Sequence, residues 1–208
     1  MIDSEAAARL FCSQRTDSAG VARLERFAEL LGAENEQQNL VSAASLDTVW
    51  QRHFADSLQL LDPVPRETAP WLDLGSGAGI PGLVLSCARP EIAIVLVESR
   101  KRRVDWLIRA AAALGLTNCR VIGARLENVE SFPAGAITAR AFAPLGKLLN
   151  LSARFSTQDT IWLLPKGRSA AQELSGQPDG VRALFHVEQS QTDPEGGILV
   201  GRGTPYVR

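Results

Sequence analysis

The segment "WLDLGSGAGIPG", residues 71 to 82, places an acidic residue, Asp73, two positions ahead of a run of glycines. Those glycines can be read in two ways. Gly77, Gly79 and Gly82 spell G-x-G-x-x-G, the spacing of a turn that lets backbone approach a dinucleotide pyrophosphate. Gly75, Gly77 and Gly79 spell G-x-G-x-G, a sharp bend directly after a strand. In either reading an acid closing the next strand accepts hydrogen bonds from ribose hydroxyls, and Glu98, at the end of "IAIVLVE", fills that post. Pro81 has no N–H to offer a phosphate. Asp73 is a poor neighbour for a dianion and a good one for a cationic amino group.

Basic residues form a second group. Arg100, Lys101, Arg102 and Arg103 follow Glu98 directly, at the start of a helical pattern. Four cations there oppose the helix dipole, and RNA phosphate is a partner that would favour them; a solvated helix face is the plain alternative. Arg140, Lys166 and Arg168 fall at or just after strand ends, the edge where open α/β sheets bind ligands. Arg140 stands among apolar neighbours in "TARAF", where a charge should have a partner.

These residues need elements to hold them. Leu24, Phe27, Ala28 and Leu31 mark an amphipathic helix, with Gly32 placed to cap it. A second helical stretch starts near Ser45 and carries Leu46, Trp50, Phe54, Leu58 and Leu61 on one stripe, where Trp50 and Phe54 read as core. The proline-rich "DPVPRETAP" reads as a linker. From Trp71 onward, short apolar runs alternate with helical patterns: strands at "WLDL", "IAIVLV", "CRVIG" and "GAITARAF", helices over 80–88 and 99–114, and a short helical piece at "RLENV". In the 99–114 helix Ser99 is the expected cap, and Val104, Leu107, Ile108 and Ala111 keep the period. This alternation predicts βαβ units and a buried parallel sheet. After "TIWLL" and a short helix near 169–174, "LFHVEQSQ" and "GILVGR" flank a turn-rich segment and read as an antiparallel hairpin.

A parallel sheet that ends in a hairpin is not the usual dinucleotide architecture. Together with Asp73 and Pro81 it favours S-adenosylmethionine (SAM), and Gly75, Gly77 and Gly79 as the working glycines; an NAD-dependent oxidoreductase is the alternative. Gly82 then serves close helix packing. A methyl acceptor can be narrowed by what is missing. "RAFAPL", residues 140 to 145, holds no N-P-P-Y-like segment for an exocyclic amine, and neither Cys87 nor Cys119 stands at that strand end as a nucleophile for a pyrimidine carbon. Guanine N7 is already nucleophilic, so alignment and desolvation suffice.

Bulk properties agree with one core and an appendage. The chain has 208 residues, 45% hydrophobic and 22% charged, with a net charge of -1. Cys12, Cys87 and Cys119 are scattered and read as reduced thiols; with only His53 and His186, no metal site is expected. "MIDSEAAARLFCSQR" lacks the build of a signal peptide, and the longest apolar run is far below the ~20 residues that span a bilayer. A cytoplasmic protein without membrane partners is expected.

The segments "QNLVS" at 38 to 42, "RHFADSL" at 52 to 58, "LDLGSGAGIPGLVLS", "ARAFAPL" at 139 to 145 and "PKG" at 165 to 167 together resemble the RsmG/GidB family of bacterial guanine-N7 methyltransferases of small-subunit ribosomal RNA. The resemblance covers about residues 22 to 202. It implies a Rossmann-like SAM-dependent methyltransferase fold, a mostly parallel seven-stranded sheet ending in an antiparallel hairpin, with a small N-terminal helical cap: an extension over 1–62 and a catalytic domain over 63–208. It implies SAM as cofactor, the small ribosomal subunit or its 16S rRNA as partner, a monomer, and methylation of one guanosine in the decoding-region loop; another RNA is the alternative substrate. By position, Gly75 and Ile80 would line the SAM turn, Leu126 and Glu127 would flank the adenine, and Arg140 would sit at the site mouth. His53 and Asp56 share a helix face, either as a lid touching SAM or RNA or as a polar pair locking the N-terminal helices onto the catalytic domain.

Overall fold

The computed structural model describes residues 1–205. Its centre is a seven-stranded sheet of order β3-β2-β1-β4-β5-β7-β6. The strands are β1 (Trp71–Leu74), β2 (Ile94–Glu98), β3 (Cys119–Gly123), β4 (Ala136–Ala139), β5 (Ile161–Gly167), β6 (Phe185–Gln189) and β7 (Gly197–Arg202). The β1 to β5 strands pair in parallel, and β7 runs antiparallel to both β5 and β6. Strand order reverses between β1 and β4, which opens a crevice at their C-terminal ends, the place where ligands bind in such sheets.

Side-chain alternation divides the core between the two faces. Trp71, Ile94, Leu96, Ala136 and Leu163 join one cluster with the N-terminal helices. Leu72, Leu74, Val97, Ile137 and Trp162 join the other. Asp73 has the parity of Trp71 and so points into the first cluster, beneath α5 (Gly82–Ala88).

The N-terminal helices α1 (Glu5–Ser13) and α2 (Ser18–Asn35) pack on that face. Phe27 of α2 lies between two rings: Phe54, stacked at 5.7 Å, and Trp106, stacked at 6.4 Å, the latter on α6 (Lys101–Ala113). The expected cap at Gly32 is not used. Gly32 keeps ordinary helical backbone, and the stop comes at Asn35, whose Oδ1 accepts the N–H groups of Leu40 and Val41.

The second helical stretch also differs from its pattern. Ser42, not Ser45, precedes α3 (Ala43–Leu46); after a turn the chain forms a π-helix over Trp50–Ala55, then α4 (Asp56–Leu58) and a 3-10 turn, Gln59–Leu61. The Glu5 carboxylate of α1 accepts the N–H groups of Trp50 and Gln51, at 3.2 and 2.8 Å, which anchors the start of the π-helix from outside. Trp50, Phe54 and Leu58 go to the core as expected.

On α6, Ser99 does not cap. The N-cap position is Arg100, without a side-chain cap, and just ahead of the helix Glu98 Oε1 accepts the N–H groups of Ser99 and Arg100 at 2.7 and 2.8 Å. Ile108, expected on the buried stripe, is 52% exposed because the core stripe runs through Trp106, Leu107, Ala110 and Ala111. The "GAITARAF" strand ends at Ala139, which leaves Arg140 in the loop before α7 (Leu145–Ser152). Two short helices, α8 (Ala170–Ser175) and α9 (Asp179–Arg182), complete the fold before the hairpin.

Candidate active site

The turn after β1 answers the choice between glycine patterns. Gly75, Gly77 and Gly79 have φ of 64, 54 and 90°, a left-handed backbone that side-chain-bearing residues avoid. Gly82 has no such angle; it lies at the start of α5, where a Cβ would run into Leu96 Cδ2 and come within 2.7 Å of Asp73 Oδ2. The G-x-G-x-G set makes the bend, and Gly82 lets α5 close on β1 and β2. Ile80 is buried beside this turn, joined to Pro81 by a cis peptide.

Asp73 is fully buried under the turn, and neither carboxylate oxygen has a hydrogen-bond partner among the described residues. Burial pushes its carboxyl up to about 7, with the nearby Ser76 hydroxyl and Gly82 N–H offsetting only part of the effect. A buried acid without a partner is costly. A ligand ammonium is the group that would relieve it.

Glu98 sits at the end of β2, across from Gly123 of β3. Besides its bonds from Ser99 and Arg100, its Oε2 accepts the Gly77 N–H at 3.0 Å, tying the glycine turn to the next strand. An ionised carboxylate offers about four acceptor positions, so these three bonds leave capacity for a ribose hydroxyl. Leu126 and Glu127 follow the end of β3 in a 3-10 turn on the same sheet edge, Leu126 buried and Glu127 exposed.

Next to this turn lies a cavity of about 880 Å³, within the range of small-molecule sites. Arg52, His53, Asp56, Arg140, Phe142 and Lys166 are among its walls. The Phe142 ring stands between the cavity and the glycines: a Cβ on Gly75 would lie 2.6 Å from it. The ring is presented by a bent loop in which Ala141 takes φ of 52°.

Arg140 has the partners its apolar setting demanded. Its Nη1 lies 3.5 Å from Asp56 Oδ2 and donates to the Arg52 carbonyl at 3.3 Å, while Nη2 donates to His53 Nδ1 at 3.1 Å. Asp56 Oδ1 is also bonded by Gln59 Nε2 and by Thr192 Oγ1 of the hairpin loop, at 2.9 and 2.7 Å. His53 and Asp56 thus join the N-terminal helices to the catalytic sheet through Arg140. Burial, aided by the cations Arg140 and Arg52, holds His53 down to about 3, so the ring is neutral.

The basic residues do not form one group. Arg100 and Lys101 are exposed on the sheet edge beside Glu98. Arg102 donates to the Gln37 carbonyl at 2.8 Å. Arg103 turns inward: a Cβ on Gly77 would lie 3.1 Å from its Nη1. Lys166 is half-buried against Glu173 at 3.0 Å and the Ala143 carbonyl at 2.9 Å, which fixes the loop that carries Phe142. Arg168 is exposed and paired with Glu195. Phe142, Glu173, Thr192 and Glu5 escaped the sequence reading; Phe142, Thr192 and Glu5 act on partners far along the chain, so no short spacing marks them.

Among the described residues no cluster of His, Cys, Asp and Glu is placed to hold a metal ion, and no helix is long and apolar enough to cross a membrane. Residues 21–193 match the family model described as rRNA small subunit methyltransferase G, GidB. The chain belongs to this family. A protein of Erythrobacter litoralis named Ribosomal RNA small subunit methyltransferase G is 61% identical over 203 residues, covering 98% of each chain. One of the same name from Novosphingobium aromaticivorans is 56% identical, over 89% of this chain and 82% of that one. Among solved structures, a SAM-dependent methyltransferase from Aquifex aeolicus superposes with a TM-score of 0.55 at 14% identity, over 72% of this chain and 90% of that one. The fibrillarin pre-rRNA processing protein of Methanococcus jannaschii gives 0.54 at 15% identity, over 69% and 70%. At such identities the likeness is one of fold, and it is the Rossmann-like methyltransferase fold.

Proposed function

We propose that this GidB-family methyltransferase transfers the methyl group of SAM to N7 of one guanosine in 16S rRNA. The observation that carries the reading is Asp73, a buried acid without a partner among the described residues, set beneath three left-handed glycines, the first of which abuts Phe142 in the wall of a cavity large enough for a nucleoside. These residues fit SAM. Asp73 would face its ammonium, Glu98 its ribose, Gly75 and Ile80 the turn around it, and Leu126 and Glu127 its adenine, with Arg140 at the mouth. When bound, SAM supplies an electrophilic methyl on a sulfonium, and as the N7–carbon bond forms and the carbon–sulfur bond breaks, the positive charge passes to the base.

N7 has a free lone pair at neutral pH, so the chain need not remove a proton. The task left to it is alignment and exclusion of water. His53 suits a supporting place, since both its ring nitrogens are engaged within the protein. Residues 1–62, read as a helical extension on the 63–208 domain, contribute Leu40, Arg52 and Asp56 to the cavity wall and would face the RNA there. Arg100 and Lys101 would meet phosphate on the exposed edge. Action in the cytoplasm as a monomer belongs to the same proposal, and sedimentation of the purified protein reads the second part.

The test is methyl transfer from labelled SAM to small subunits, and to 16S rRNA, lacking the modification, followed by chemical cleavage at N7-methylguanosine. One labelled guanosine is expected. Label at a base amine or a pyrimidine, or none from a folded SAM-binding preparation, would refute the N7 assignment.

A further inference from the structure

The contacts of His53 have a fixed direction. A guanidinium can only donate, so His53 Nδ1, 3.1 Å from Arg140 Nη2, must be the acceptor. In the neutral ring the proton is then on Nε2, which donates to Ser45 Oγ at 3.0 Å. The Ser45 hydroxyl donates in turn to the Ser42 carbonyl at 2.7 Å. A one-way chain runs from Arg140 through His53 and Ser45 to the backbone that opens α3. Its first link ties a loop of the catalytic sheet to the π-helix, and all three side chains line the cavity.

We propose that His53 is a positioning residue: its Nδ1 lone pair fixes the plane of the Arg140 guanidinium, so that the N–H groups not used by Asp56 and Arg52 face the cavity. The inference rests on the reading of Arg140 as a residue of the SAM site mouth. Asp56, at 3.5 Å, and the Arg52 carbonyl, at 3.3 Å, both hold Nη1, which leaves the guanidinium free to swing about that nitrogen. The ring nitrogen anchors the other end, Nη2. The neutral state is part of the device, because a protonated ring would lose the acceptor and set a second cation against Arg140 and Arg52. Burial maintains that state.

Amide side chains separate the two ring positions. His53→Asn places an acceptor near Nδ1 and nothing near Nε2; His53→Gln keeps a donor near Nε2 and loses the Nδ1 acceptor; His53→Leu removes both. The expected result is a tenfold or greater rise in KM for SAM in the Leu and Gln variants, and recovery to within a few-fold of the parent in the Asn variant, while thermal stability ranks them differently. Equal recovery by Gln, or KM loss that simply follows stability, overturns the inference.

A second readout is independent of catalysis. The chain has two histidines, and nitrogen-15 spectra of the His186→Gln protein report His53 alone. A proton on Nε2 and a bare Nδ1 from pH 6 to 8 are expected; a proton on Nδ1 overturns the assignment. Arg140→Met tests the underlying reading. If it leaves KM for SAM and methyl transfer intact, that reading fails; if it impairs them while His53→Leu does not, only the role given to His53 fails.

Discussion

Asp73 links stability to cofactor binding at the scale of one residue. Its carboxyl is pushed up from 3.8 to about 7 in the folded chain, chiefly by burial. Between those values the native state holds a proton that the unfolded state has lost, so stability falls as pH rises through the window and levels off above it. Asp73→Asn is therefore expected to raise the melting temperature at pH 8, the gain being on the order of a few kcal/mol at most and shrinking towards pH 5. The same variant loses the partner for the SAM ammonium. SAM affinity of the parent should climb with pH up to about 7, with proton release below that point, and fall again once the SAM amine loses its own proton at about pH 8. Calorimetry in buffers of different ionisation enthalpy measures the proton, and an affinity independent of pH between 5 and 8 would remove Asp73 from the site.

At the scale of elements, the N-terminal helices share their core with the catalytic sheet. Phe27 has no exposed surface and contacts rings from the π-helix and from α6. Phe27→Ala removes both stacks and opens a cavity at their junction, a loss of about 3–5 kcal/mol. A shift of the denaturant midpoint with unchanged slope checks it; a loss below about 1 kcal/mol would mean that α2 is only loosely docked. Leu24, Phe27 and Leu31 were legible because a helical period depends only on neighbours in the chain. The same holds for the strand pattern from Trp71, which predicted the sheet and its closing hairpin. The π-helix was not legible. Its start is fixed by Glu5, 45 residues away, and an apolar stripe cannot distinguish it from an α-helix. Ser99 and Gly32 failed because both helix ends lie elsewhere: α6 begins after Arg100, and α2 runs on to Asn35, whose side chain bonds the chain beyond it. The candidate site was readable as types and spacings along one sheet edge. Partners such as Glu173 for Lys166 appear only once the chain is folded.

For the whole molecule, a net charge of -1 conceals how the cations are used. Lys166 and Arg168 are each paired with a carboxylate, at Glu173 and Glu195, so a phosphate would have to compete with those partners. Arg100 and Lys101 stand exposed at the edge that holds Glu98, with no ion pair among the described residues. Counterion release makes RNA affinity fall with salt by roughly 0.7–0.9 in log–log slope for each phosphate contact. Replacing Arg100 and Lys101 together by Gln should lower that slope by about 1.5, whereas Arg168→Gln, which also frees the Glu195 charge, should weaken binding mainly through repulsion and change the slope less. Filter binding across a salt series distinguishes the two. Equal slopes for the parent and the double variant would return Arg100 and Lys101 to a solvated helix face, and would move the RNA-binding surface to the cavity rim formed by Arg52 and Arg140.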